Sequence, residues 1–258
     1  MHLHYSEQGQ GRPVILLHGL FGTGSNLGAL ARDLAADYRA ILPDQRNHGR
    51  SPWSDEMTYP AMADDLATFM QRLSLDSAAL VGHSMGGKVA MQLALTHPRL
   101  VEQLIIADIA PVAYGHGHEN VLAGLRLVSD SKPSSRSEGD KMLANSVEEA
   151  GTRQFLLKSL ARQPDGSYDW QINWRVVEAQ YDHLAAAVSG EAFHGPTLFI
   201  KGSESAYIRE AHQQAVLELF PKAKLKVIQG AGHWLHADKP HSFNRLVRQA
   251  LADCQPGN

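Results

Sequence analysis

Ala78-Ala79-Leu80-Val81-Gly82-His83-Ser84-Met85-Gly86-Gly87 is the stretch from which the fold can be read. Four apolar residues, too few for a helix, run into a Gly-x-Ser-x-Gly pentad, and residues 85–96 then carry apolar side chains at helical spacing. A strand that ends on such a pentad and turns sharply into a helix lifts its serine hydroxyl above the edge of a sheet, and the flanking glycines relieve the crowding of the turn. The helix behind it presents its positive N-terminal end to negative charge developing nearby. This stretch alone predicts a buried strand, a nucleophile at Ser84 and a strand-helix architecture.

Further short apolar runs at 14–17, 40–42, 104–107, 197–200 and 225–228 are bounded by Gly, Pro, Asp or Lys and read as buried strands of a largely parallel sheet. Helical patterns fall between them at 26–35, 59–73, 206–219 and 240–251, so the fold class is α/β, a mostly parallel central sheet flanked by helices. Residues 112–194 break the rhythm. They hold helical patterns at 121–128, 137–160 and 174–188, separated by Ser/Pro/Asp/Gly-rich punctuation at 132–137 and 163–167. A structureless loop of that length is foreign to a compact domain. The expected organisation is therefore a core of 1–111 and 195–258 with a helical cap inserted at 112–194. The final Gln255-Pro256-Gly257-Asn258 reads as a frayed end.

Composition narrows the partners. The 258 residues are 43% hydrophobic, enough for a sizeable core, and 24 Lys plus Arg against 27 Asp plus Glu leave a net charge of -3. That balance has no surplus for gripping a phosphate backbone, so nucleic acid is not an expected partner. No run approaches the roughly 18 apolar residues of a membrane span, and the first residues lack a cationic lead and an apolar signal segment. The expectation is a soluble cytoplasmic protein. The lone Cys254 can form neither an internal disulfide nor a Cys-based zinc site and reads as a tail residue. His116-Gly117-His118, without a third ligand nearby, is a polar loop rather than a metal site, so no metal is expected.

A serine hydroxyl needs a base to remove its proton, and the base needs an acid to hold it. Among 14 histidines, His233 in Gly230-Ala231-Gly232-His233-Trp234 follows the last predicted strand and lies on the same sheet edge as Ser84. His18, His83 and His236 read as structural. The acid belongs between Ser84 and His233 at a strand end. Asp108 closes the 104–107 strand, while the commoner position one strand later, in Lys201-Gly202-Ser203-Glu204-Ser205, carries Ser205, which cannot hold the charge. Asp108 is the choice; Glu204, one position off, is the reserve, with Asp108 then a strand-end cap. Two backbone donors would hold an oxyanion: Met85 N–H, and Leu20 N–H in His18-Gly19-Leu20-Phe21-Gly22, with Phe21 N–H as the alternative. Phe21 and Trp234 are the candidates for substrate contact. Lys88 reads as a solvated helix-face lysine, and Trp170 and Trp174 as apolar core.

Taken together, His18-Gly-Leu-Phe-Gly22, Asp44-Gln-Arg-Asn-His-Gly-Arg-Ser51, Gly82-His-Ser-Met-Gly-Gly87 and Gly232-His-Trp-Leu-His-Ala-Asp-Lys-Pro240 resemble the α/β-hydrolase superfamily almost end to end. Arg46-Asn-His-Gly49, Asp108-Ile-Ala-Pro-Val112 and serine at the usual acid position are similar to the bacterial YbfF-type esterases, related to abhydrolase-domain-containing protein 11. The resemblance implies a triad acid at Asp108. It also implies hydrolysis of carboxylic esters, with acyl thioesters as further substrates, no cofactor, and a bracing role for Asp44, Arg46 and His48. Two other functions fit the same frame: a cofactor-free perhydrolase or haloperoxidase-like enzyme, and a non-hydrolytic ligand-binding protein.

Overall fold

The computed structural model describes residues 1–254; the expected frayed tail lies outside them. Seven strands form the central sheet: β1 (Tyr5–Gln8), β2 (Arg12–Leu17), β3 (Tyr38–Pro43), β4 (Ala78–His83), β5 (Val101–Ala107), β8 (Thr197–Gly202) and β9 (Ala223–Ile228). Their order is β1-β3-β2-β4-β5-β8-β9, with β1 antiparallel to β3 and every other pair parallel. The six apolar runs read from the sequence are the six parallel strands. The antiparallel edge strand β1, Tyr-Ser-Glu-Gln, has no apolar pattern because it packs little on either face.

Central strands are buried on both faces, and the period of two sorts their side chains. Ile15, Leu17, Leu80, Leu104 and Ile106 face one core, closed by α2 (Tyr59–Arg72) and α3 (Met85–Thr96). Val14, Leu16, Val81 and Ile105 face the other, closed by α1 (Gly28–Leu34) and α11 (Pro240–Asp253). α9 (Gln213–Leu219) lies beside the β9 edge; it starts later than the apolar pattern implies, after a single 3-10 turn at Glu210–His212. α10 (Leu235–Asp238) is a single turn leading into α11.

The segment between β5 and β8 is mainly helical: α4 (Glu119–Ser131), α5 (Arg136–Leu143), α6 (Ala150–Leu157), α7 (Trp174–Ala179) and α8 (Tyr181–Ala185). Two expectations need correction. The helical pattern at 137–160 is broken between α5 and α6, where the Arg153 guanidinium donates to the carbonyls of Val147 and Glu148. A small hairpin, β6 (Leu160–Arg162) and β7 (Tyr168–Trp170), turns on the polar 163–167 stretch with Gly166 at φ +89°. Leu125, Leu143, Leu160, Trp170 and Val177 of this segment continue the core that lies over α2 and α3. No helix among the described residues is long and apolar enough to cross a membrane.

Candidate active site

Ser84 stands between β4 and α3 at φ 53°, ψ -120°, a conformation that costs a non-glycine residue about 1–3 kcal/mol and persists only where its surroundings over-determine it. Here they do. Ser84 N–H donates to Ala107 O of β5 (3.0 Å), and its carbonyl accepts from Gly87 and Lys88 N–H. A Cβ on Gly82 would lie 2.3 Å from Gly86 O, and one on Gly86 would lie 2.3 Å from Leu17 O, so strand end, helix start and the neighbouring strand meet backbone to backbone.

His233, on the loop after β9, places Nε2 3.0 Å from Ser84 Oγ and Nδ1 2.8 Å from Asp108 Oδ2. With the Nδ1 proton donated to the carboxylate, Nε2 is the free acceptor for the serine hydroxyl. Asp108, left-handed at φ 53° beyond β5, is fully buried; it accepts from Gly202 N–H at Oδ1 (3.1 Å) and from the Ser205 hydroxyl at Oδ2. With His233 Nδ1–H, three donors converge on it. Ser205, at the position where an acid is commoner, is thus bonded to the acid that stands elsewhere. Glu204 is exposed, with its N–H bonded to Ala231 O.

Two further contacts fix the histidine. The Tyr207 ring stacks on His233 with centroids 4.0 Å apart. The buried His83 donates from Nε2 to the His233 carbonyl (2.8 Å), which ties the pentad to the histidine loop.

Leu20, Ser84 and Met85 line one cavity of about 330 Å3. Of the two amides weighed for the first loop, Phe21 N–H is already given to His48 Nε2 (3.2 Å). Among the described residues, Leu20 N–H and Met85 N–H have no protein acceptor. The surrounding loop is internally braced. His18 accepts from Gln45 N–H (3.0 Å), Asp44 accepts from Gly24 N–H (2.8 Å), and Arg46 pairs with Asp65 at 2.6 Å.

The structure places Phe21, Trp234 and Lys88 otherwise than the sequence reading did. Phe21 and Trp234 do not line the cavity: the Phe21 ring is buried edge-on to His118, and Trp234 stacks on Phe155 at 5.3 Å. Lys88 is 1% exposed and lines the cavity, because the segment before β8 covers this face of α3. His116 pairs with Asp182 and His118 with Tyr181; the described residues contain no cluster of three or more His, Cys, Asp or Glu able to hold a metal.

Burial holds four structural histidines in the neutral form: His18 below its ordinary value, His83 well below it, His236 down to about 4 and His48 to about 3. The unfolded chain takes up these protons near pH 6.5, so between that pH and the folded values the unfolded state binds more protons. Their stabilising contribution is complete above pH 6.5 and is lost progressively as the pH falls below it. Urea midpoints should therefore start to drop near pH 6.5, before carboxylates titrate. A midpoint constant from pH 7 to pH 4.5 would contradict this.

Residues 12–240 match the alpha/beta hydrolase fold family. The chain belongs to that family. It is 41% identical over 242 residues to Esterase YbfF of Escherichia coli (strain K12), covering 93% of each chain. It is 38% identical over 248 residues to the sn-1-specific diacylglycerol lipase ABHD11 of Mus musculus, covering 93% of this chain and 80% of that one. A solved structure titled marine microorganism esterase superposes with a TM-score of 0.93 at 39% identity, covering 96% of this chain and 98% of the other. Within the family this α/β hydrolase is of the esterase and lipase type, a carboxylic-ester hydrolase.

Proposed function

We propose that this α/β hydrolase cleaves acyl esters through an acyl-enzyme, with Ser84 as nucleophile, His233 as general base and acid, Asp108 as the group that orients it, and residues 112–194 as a cap over the acyl cavity. The observation that carries this reading is the unbroken line Asp108 Oδ2, His233 Nδ1, His233 Nε2, Ser84 Oγ, with spacings of 2.8 and 3.0 Å. His233 takes the serine proton as Oγ attacks the ester carbonyl. The resulting oxyanion is received by the Leu20 and Met85 amides, each such donor being worth about 2.7–4 kcal/mol in the transition state. Collapse of the intermediate expels the alcohol, which leaves with the proton held on His233. Water, deprotonated by the same imidazole, then attacks the acyl-serine; the acid departs and Ser84 recovers its proton. A thioester carbonyl meets the same groups, with a thiol leaving instead.

The test is kcat/KM for p-nitrophenyl esters from acetyl to palmitoyl and for an acyl-coenzyme A thioester, with Ser84→Ala as the blank. Turnover of at least one series that vanishes in the blank is the expected result. Turnover that survives purification in the Ser84→Ala protein would overturn the reading. A fluorophosphonate should also phosphonylate Ser84 and nowhere else, adding its mass less the HF expelled.

A further inference from the structure

Lys88 stands one helical turn beyond Ser84 on the same face of α3, and it is buried. Nζ donates to Ala186 O (2.5 Å) and Ala185 O (3.4 Å), and lies 4.8 Å from the Tyr114 ring centre and 5.3 Å from that of Tyr59. The segment it touches, residues 184–189, is the return leg from α8 towards β8. That leg is pinned to the core through its main chain at successive points. Tyr59 Oη donates to Leu184 O (2.6 Å), Tyr114 N–H to Ala185 O (2.8 Å), and Gln92 exchanges two hydrogen bonds with Ser189 (2.9 and 3.3 Å).

The return leg is Leu184-Ala185-Ala186-Ala187, with little side chain to offer, yet Leu184 and Ala185 wall the same cavity as Ser84. Lys88 lines the cavity together with them. Leucine or methionine is the ordinary residue for closing an apolar cavity, whereas burying an ammonium is costly. Burial pushes Lys88 down to about 7. The ammonium does what an alkyl group cannot: it satisfies carbonyls of a leg that passes close to α3 because its residues are small. We infer that Lys88 is a specificity-determining residue whose side chain closes the deep end of the cavity and so sets the longest acyl chain accepted. This inference rests on the ester-hydrolase reading.

The test varies side-chain length at position 88 and reads acyl-length profiles of kcat/KM on p-nitrophenyl esters. Lys88→Met, of similar reach, should keep the wild-type optimum. Lys88→Leu should move it to longer chains, and Lys88→Ala further, by roughly three to four carbons, with about a ten-fold gain on the first ester that the wild type rejects. A profile indifferent to side-chain length, or a uniform loss across all esters in folded variants, would reduce Lys88 to an anchor for the return leg and overturn the inference. If Lys88→Ala does not fold, the Leu and Met variants carry the comparison. Should the wild type show no serine-dependent hydrolysis, the activity reading fails on its own. Cavity depth is then read from the longest saturated fatty acid that raises Tm, which must lengthen from wild type to Lys88→Leu; an unchanged limit overturns the inference by that route.

Discussion

Ser84→Ala should lower kcat on a p-nitrophenyl ester by about a million-fold, and His233→Ala by a similar factor, while the double variant loses scarcely more than either alone. The non-additivity follows from geometry. In the proposed mechanism Ser84 Oγ and His233 Nε2, 3.0 Å apart, act as one unit, so removing either partner leaves the other without a task. A residual rate about a thousand to ten thousand times that of water should remain, because the Leu20 and Met85 amides are main-chain groups that neither substitution removes. Losses that multiply in the double variant would mean that serine and histidine work independently. KM should change little, since Ser84→Ala removes a single oxygen from the cavity lining and neither substitution alters Tyr114 or Leu184.

Asp108→Asn should cost about ten-thousand-fold in kcat. Asp108 receives Gly202 N–H, the Ser205 hydroxyl and His233 Nδ1–H, and an amide must turn a donor towards one of these donors. His233 is then driven to the tautomer that carries its proton on Nε2, where it can no longer accept from Ser84. Ser205 sharpens the test. Its hydroxyl already reaches the carboxylate, so an acid at 205 lies beside the vacated charge, and Asp108→Asn combined with Ser205→Asp should recover at least about ten-fold over Asp108→Asn alone. Ser205→Asp by itself places two carboxylates together and should lower activity. Recovery in kcat, measured with burst kinetics to separate acylation from deacylation, is the readout. Failure of the double variant to exceed Asp108→Asn would mean that the strand-end position of Asp108 cannot be replaced from β8.

The parallel strands were legible because burial on both faces leaves a signal that does not depend on pairing partners: 14–17 and 78–81 are apolar without interruption. β1 was not, since an antiparallel edge strand is registered by main-chain bonds, here Tyr5 to Gln8 against Pro43 to Ala40, and its few side-chain contacts, such as Glu7 with Arg39, leave no apolar pattern. Ser84, Asp108 and His233, which the structure brings together, were proposed because each follows a strand and has recognisable local chemistry. Tyr207 and Lys88 could not. The stacking of Tyr207 on His233 joins residues 26 positions apart across two loops, and the burial of Lys88 depends on where a segment almost 100 residues downstream returns. Solvated and buried lysines look alike on an amphipathic helix until the partner that covers them is known. Phe21 and Trp234 lie off the cavity for the complementary reason: a place in the 18–22 loop or next to His233 does not fix which way a ring turns.

The contact of Gly82 with Gly86, and of Gly86 with Leu17, has a consequence for how this site ages in evolution. Main chains approach there so closely that no side chain fits between them, so the spacing of nucleophile turn, neighbouring strand and helix start depends on no rotamer. The ordering is completed once, as the chain folds. It follows that drift at these two positions is policed twice: a methyl group there pries the sheet from the helix and displaces Ser84 in the same movement. Mutations that merely erode durability elsewhere can be offset by gains at a distant surface, but at this turn a compensating gain in stability would restore the protein without restoring its chemistry.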